Sequence, residues 1–186
     1  MRTFVSPDGR YVAGDYVPSR TLAAISGEEI SLPYREGLTH IQFRRFAGCP
    51  FCNLHLRSIT ARHAEIQSAG INEVVLFHSS AEDLLEYNEP TPFPVIADPH
   101  RALYREFGVE PSWRSLAHPR AWGPMLRGVV TKRSPLKGDH GSGHMGLPAD
   151  FLIDAEGTVI AAKYGAHAYD QWSVDELLAI ATASAQ

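Results

Sequence analysis

The chain has 186 residues, 44 % of them hydrophobic and 20 % charged, with a formal net charge of −4. That is enough polypeptide for one domain, residues 1–186, with its own core, and the negative balance argues against nucleic-acid binding by the chain as a whole. No stretch approaches the apolar length of a transmembrane helix, and residues 1–7 do not read as a signal peptide.

In chain order, Phe4-Val5 and Tyr11-Val12 flank the turn sequence Ser6-Pro7-Asp8-Gly9 and predict a small hairpin. Residues 21–25 and 29–32, around Ser26-Gly27-Glu28, predict a second hairpin. Residues 39–43 form a short β-prone run that breaks at Ala47-Gly48 and restarts as Cys49-Pro50-Phe51-Cys52. Beyond it Leu56, Ile59, His63 and Ile66 recur at spacings of three and four, which predicts a helix to about Ala69, ended by Gly70. Residues 73–77 are almost continuously apolar and predict a buried parallel strand. His78 and Ser79 close that strand, and Ser80 predicts the cap of a helix starting at Ala81. Residues 92–98 predict another strand, and residues 101–107 a short helix ended by Gly108.

Residues 109–146 depart in composition, with six Lys/Arg against two acids and four prolines. They read as a basic insertion holding one short helix at residues 122–130, either a solvated excursion or a lid or dimerisation arm facing an acidic partner. Residues 147–154, the turn Ala155-Glu156-Gly157 and residues 158–163 predict an antiparallel hairpin. An amphipathic helix over residues 172–182 closes the chain, with Ser173 as N-cap and Glu176 completing a capping box.

The chemistry gathers at the only two cysteines. Pro50 stands just inside a helix start, where its missing N–H is harmless and its fixed φ suits the helix. Cys49 is then at or near the N-cap, with Cys52 one turn further in on the same face. A Cys-x-x-Cys at a strand-to-helix turn reads as a redox dithiol, and a reducing cytoplasm suits a pair that cycles rather than staples. The thiolate is the nucleophile, and a helix N-terminus favours an anion by up to about 2 kcal/mol. At about 1.4 kcal/mol per pKa unit, that lowers Cys49 by roughly one unit. Arg44 and Arg45 lower it further if either guanidinium turns toward the sulfur. The alternative is a zinc site made by Cys49, Cys52, His140 and His144. His55 is a further candidate ligand or proton acceptor, and His78 ends a strand that could approach the site.

The order strand, dithiol helix, strand, helix, hairpin, helix resembles the thioredoxin-like α/β fold, a mixed central sheet flanked by helices. The N-terminal hairpins extend it, and the insertion precedes the last hairpin. Within it the chain is most similar to the peroxiredoxin-like alkyl hydroperoxide reductase and thiol-specific antioxidant family. That likeness rests on the hairpin around Ser26-Gly27-Glu28, residues 43–52, residues 93–99 with Tyr104-Arg105-Glu106-Phe107-Gly108-Val109, and residues 146–154. It implies a thiol–disulfide oxidoreductase or thiol-dependent peroxidase in which Cys49 attacks and Cys52 resolves, with Arg44, Arg45 or a residue of the insertion taking the donor role. The Cys49–Cys52 disulfide is then the redox group, and no other cofactor is expected. A disulfide-bearing protein, a small thiol or a peroxide is the implied substrate; a reducing partner restores the dithiol, and a homodimer is one expected assembly. The chain departs from the family's P-x-x-x-T/S-x-x-C, since Phe46 and Gln42 replace the hydroxyl residue and the proline counted from Cys49. Pro148 stands where the family's second arginine usually lies. It matches instead the cis proline of thioredoxin-like oxidoreductases, which implies a cis Pro148 and substrate binding by Leu147, Pro148, Pro50 and Phe51. The buried acid of thioredoxin would fall at about Gln42, so a different proton acceptor is needed.

Overall fold

The computed structural model describes residues 9–109 and 146–184. Two short strands, β1 (Arg20–Ala23) and β2 (Glu29–Leu32), make an antiparallel hairpin apart from the main sheet. The main sheet is built from β3 (Leu38–Arg44), β4 (Ile71–Phe77), β5 (Val95–Ala97), β6 (Ala149–Ile153) and β7 (Val159–Tyr164), in the order β5-β4-β3-β6-β7. β3, β4 and β5 run parallel, while β6 lies antiparallel to β3 and β7 antiparallel to β6. The helices are α1 (Pro50–Ala61), α2 (His63–Ser68), α3 (Ala81–Tyr87), α4 (Ala102–Glu106) and α5 (Val174–Ser184). This is the thioredoxin-like arrangement that the order of elements predicts.

Side-chain parity along the central strands sorts the core into two layers, because successive residues of a strand point to opposite faces. Ile41 and Phe43 of β3, Val74 and Leu76 of β4, and Ala149, Phe151 and Ile153 of β6 pack with Leu32, Tyr104 and Phe107. Val75 and Phe77 of β4 and Leu152 of β6 pack on the other face with Leu56, Ile59, Ile66, Trp172 and Leu177. Each fully buried aliphatic or aromatic side chain stabilises the fold by about 1.5–3 kcal/mol before entropy is counted.

Three predicted elements change in the structure. The dithiol helix does not run on to Ala69: it breaks at Arg62, whose φ of −113° and ψ of 18° leave the helical region. Arg62 there holds Glu65 through two 2.7 Å contacts and Asp175 of α5 at 2.6 Å. The kink also sets the His63 ring 5.6 Å from that of Phe93. Tyr11-Val12 is not in a strand, and Phe4-Val5 lies outside the described residues. Instead the segment straps the sheet: Gly14 N–H donates to Val159 O, Val159 N–H to Asp15 O, and Val17 N–H to Gly157 O, each at 2.8 Å. Tyr11 meanwhile is buried, its ring 4.9 Å from Phe107. The strand predicted over residues 92–98 shrinks to β5, since Pro92 and Pro94 have no N–H to give a ladder. The caps hold as read. Ser80 Oγ accepts from Asp83 N–H, and Ser173 and Glu176 bond reciprocally at 3.2 and 2.7 Å.

Candidate active site

β3 delivers the chain to the dithiol, and its parity sends Arg44 and Arg45 to different destinations. Arg44 continues the face that carries His40 and Gln42, between the sheet and α1. There it is fully buried and donates to Asp150 Oδ1 at 2.8 Å, to Gln42 Oε1 and to Phe43 O at 3.3 Å. Arg44 is therefore not at the sulfur, contrary to the sequence reading: its guanidinium is committed to a carboxylate inside the sheet. Arg45 is the one that arrives, with Nη1 3.9 Å from Cys49 Sγ.

The connection from β3 to α1 is fixed by its backbone. His78 N–H donates to Arg45 O at 3.2 Å, and Ala47 N–H donates to Ser79 Oγ at 2.9 Å, so the end of β4 pins this loop. Gly48 turns it with φ of +73°, a conformation that L side chains rarely adopt. Cys49 follows as N-cap of α1, Pro50 takes the first helical position, and Asn53 N–H closes the first turn on Cys49 O at 2.9 Å.

Both cysteines are free and buried, Cys49 with no exposed surface. Burial alone would push the Cys49 thiol up. The hydrogen bond from the Cys52 thiol, the Arg45 guanidinium and the N–H groups of Cys52 and Phe51 overcome it and lower the pKa to about 6. The sulfur makes no aligned cap hydrogen bond, so the helix end acts on it as a field. Cys52 is pushed well above the ordinary thiol range by burial and by its partner's sulfur. Arg45 N–H donates to Cys52 Sγ at 3.4 Å. Two chemically identical side chains thus become an anion and a thiol at neutral pH.

The implied substrate residues fare unevenly. Phe51 is only 3 % exposed and belongs to the helix-side core, so it presents no substrate surface. Pro50 and Leu147 are half-buried, and Pro148 is buried. The Leu147–Pro148 bond is trans; among the described residues the cis peptide is Leu32–Pro33. Pro148 O accepts from Gly165 N–H at 2.9 Å, which prolongs the β6–β7 ladder by one bond and keeps this stretch extended. The segment does reach the site: a Cβ on Gly146 would lie 3.3 Å from His78 Nε2 and 4.0 Å from Arg45 Cγ. His140, His144 and the predicted helix over residues 122–130 lie outside the described residues. Among the described residues no group of three or more His, Cys, Asp or Glu could hold a metal ion, and the zinc alternative gains no support.

Beneath α1 lies a buried charged network that sequence reading missed. His40 Nδ1 is 2.8 Å from Glu73 Oε2 and its Nε2 is 3.3 Å from Asp150 Oδ1. Gln42 donates to Glu73 and accepts from Arg44, and Trp172 N–H donates to Asp150 Oδ2 at 3.2 Å. Burial would lower the His40 pKa, but the two carboxylates raise it from 6.5 to about 9. Burial would raise Asp150, but Arg44 and His40 hold it well below the usual carboxylate range. His55, buried on α1 over this network, is kept neutral by burial and by the Arg44 charge. The alternation His40-x-Gln42-x-Arg44 within an otherwise buried strand was the signal available.

A family model described as AhpC/TSA antioxidant enzyme matches residues 58–167, more than half of the chain and starting beyond Cys52. No curated protein sequence matches the chain. Among solved structures it is similar to peroxidoxin BcpB from Mycobacterium tuberculosis at 17 % identity, covering 94 % of this chain and 98 % of that one with a TM-score of 0.66. The reduced 2-Cys peroxiredoxin of Plasmodium vivax is 14 % identical, with coverage of 94 % and 82 % and a TM-score of 0.67. The bacterioferritin comigratory protein of Xanthomonas campestris, whose alkyl peroxide reduction has been studied structurally, is 18 % identical, with coverage of 90 % and 92 % and a TM-score of 0.62. At these identities the likeness establishes the fold.

Proposed function

Because this chain belongs to the AhpC/TSA antioxidant enzyme family, an oxidoreductase family, we propose that it is a two-cysteine peroxidase in which Cys49 attacks a hydroperoxide and Cys52 resolves the product. The observation that carries this reading is the asymmetry of the pair. Cys49 is lowered to about 6 with Arg45 Nη1 at 3.9 Å, while Cys52 stays a thiol. The matched region begins beyond both cysteines, so their roles rest on geometry.

The steps balance. Cys49 thiolate attacks the terminal peroxide oxygen, the O–O bond breaks, and an alcohol leaves with a proton, giving a Cys49 sulfenic acid. Cys52 sulfur then attacks the Cys49 sulfur, water leaves, and the Cys49–Cys52 disulfide forms. A dithiol reductant returns both thiols. Arg45 takes the place of the missing hydroxyl donor, its guanidinium facing the oxygen that gains charge. A hydroperoxide suits a sulfur with no exposed surface better than a protein disulfide does, since the smaller molecule needs the smaller opening. Among the described residues no helix is long and apolar enough to cross a membrane. We place the cycle in the cytoplasm, where a thiol reductant is at hand.

The test is hydroperoxide consumption by purified protein with dithiothreitol as reductant. Wild type should turn over, Cys49→Ser should lose all activity, and Cys52→Ser given one equivalent of hydroperoxide without dithiothreitol should stop at a sulfenic acid that dimedone traps. Activity surviving in Cys49→Ser would remove this assignment. Thiol–disulfide exchange by the same pair is the second reading. It is favoured if an aromatic disulfide is consumed by Cys49 while hydroperoxides are not.

A further inference from the structure

One peptide group joins the resolving cysteine to a buried tyrosine. The Arg44–Arg45 peptide offers its N–H to Cys52 Sγ at 3.4 Å, and its carbonyl, Arg44 O, accepts from the Tyr104 hydroxyl. That hydroxyl is also 2.9 Å from Leu76 O, at the neighbouring strand end, and has one proton for the two carbonyls. Tyr104 is held rigidly. Its ring meets Phe43 edge-on at 4.9 Å and His78 edge-on at 5.6 Å. Asp98 caps α4, accepting from the N–H groups of Ala102 at 2.9 Å, Leu103 at 2.8 Å and Tyr104 itself at 3.3 Å.

We propose that Tyr104 is a positioning residue for Cys52, acting through the Arg44–Arg45 peptide, and thereby sets the rate of the resolving step. The inference rests on the dithiol reading above. A hydrogen bond donated to a carbonyl polarises its peptide and strengthens the bond donated by the N–H at the other end. As Cys52 loses its proton the Arg44–Arg45 dipole deepens, Arg44 O becomes the better acceptor, and the bond it accepts from the Tyr104 hydroxyl strengthens at the expense of the contact to Leu76 O. The tyrosine thus stabilises the Cys52 thiolate without touching it. Burial raises the Tyr104 pKa well above 10, so it remains a donor over the working range. The charged and titratable groups acting on Cys52 are the Cys49 sulfur and Arg45, and those facing Tyr104 are Cys52, Asp98, Arg44 and the His78 ring.

The two thiol steps can be timed separately with an aromatic disulfide, dithiobis-nitrobenzoate. Cys49 thiolate attacks it and releases one nitrothiobenzoate anion, leaving a mixed disulfide. Cys52, losing its proton to solvent, then attacks the Cys49 sulfur and releases the second anion as the Cys49–Cys52 bond forms. Tyr104→Phe keeps the ring and removes the hydroxyl. The first release should be unchanged, and the second should slow on the order of tenfold below neutral pH, the loss of about one good hydrogen bond. Its pH of half-maximal rate should rise by about one unit, a movement that loosened packing would not produce. In wild-type protein with Cys49 blocked by methylthiolation, the Arg45 amide proton should move downfield as pH rises to the point of Cys52 attack. A wild type that releases the first anion and never the second overturns the dithiol reading and this inference with it. A Tyr104→Phe protein whose second release matches wild type, or slows at all pH values together with the first, overturns the inference alone. So does an Arg45 amide that does not respond.

Discussion

Replacing Arg45 by methionine, which keeps the length and apolar stem of the side chain, should raise the Cys49 pKa by one to two units. At 3.9 Å from the sulfur, one unit charge acting on another through an effective dielectric of about 20 is worth about 4 kcal/mol. At about 1.4 kcal/mol per unit that is a ceiling near three units. The lowering, from 9.0 to about 6, is of that size, but it is reached against burial and with the Cys52 thiol as the larger favourable contributor. The arginine's share must therefore lie below the ceiling. In Arg45→Met the pKa should be about 7 to 8, so the thiolate fraction at pH 7 drops from roughly nine-tenths to between one-half and one-tenth.

The assay is the rate of Cys49 alkylation by iodoacetamide between pH 4.5 and 10, followed by mass spectrometry so that Cys49 and Cys52 are read separately. Arg44→Met is the matched comparison. It removes an equal charge one residue away, but from a guanidinium bound to Asp150, and the Cys49 midpoint should stay within half a unit of wild type. A midpoint in Arg45→Met that also stays within half a unit would refute the reasoning. The anion would then be held by the Cys52 thiol and the helix end alone.

Three further outcomes follow from the network under α1 and the closing helix. His40 is raised from 6.5 to about 9, so its contribution of about 3 kcal/mol is fully present below pH 6.5 and is lost as pH rises through 9. Cys49 has the opposite sign, contributing stability that is lost as pH falls through about 6, so the urea titrations belong in protein with both cysteines changed to serine. There stability should fall by about 2–3 kcal/mol between pH 6.5 and 9, below the range in which unfolded tyrosines ionise, and the fall should vanish in His40→Gln. Asp150→Asn leaves Arg44 and His40 buried without their shared anion and should cost about 3–5 kcal/mol by urea unfolding at pH 7; a cost under about 1 kcal/mol would contradict the network. Ser173→Ala removes the acceptor of Glu176 N–H and should cost about 1 kcal/mol, read as a fall of about 2–4 °C in Tm.

Elements and caps were legible in the sequence wherever a single period or a single residue decides them. Leu56, Ile59 and Ile66 lie on the core side of α1 and α2 because three-and-four spacing puts them on one face. Ser80 and Ser173 cap because a short hydroxyl before a helix has an N–H to accept from. What the local pattern could not give was decided by partners far along the chain. The break at Arg62 accompanies an ion pair to Asp175 of α5, and the strap at residues 12–17 depends on the edge offered by Gly157 and Val159. The trans geometry at Pro148 accompanies a bond from Gly165 N–H that no local pattern announces.

The two arginines carry this furthest. Arg44 and Arg45 look equivalent as neighbours of a reactive cysteine, and period-two alternation alone says that they cannot both face it. His40 and Gln42 share the parity of Arg44, and the paired strands place Glu73 opposite His40 and Asp150 opposite Gln42. Two acids and two bases on one buried face can only be accommodated together, since a lone charge there would cost several kcal/mol. Arg44 is thus drawn inward by Asp150, and that leaves Arg45, the next residue and of opposite parity, to meet the sulfur. The division of labour between the two guanidiniums follows from an acid 106 residues away, which is why reading the dithiol segment by itself assigns them the same role.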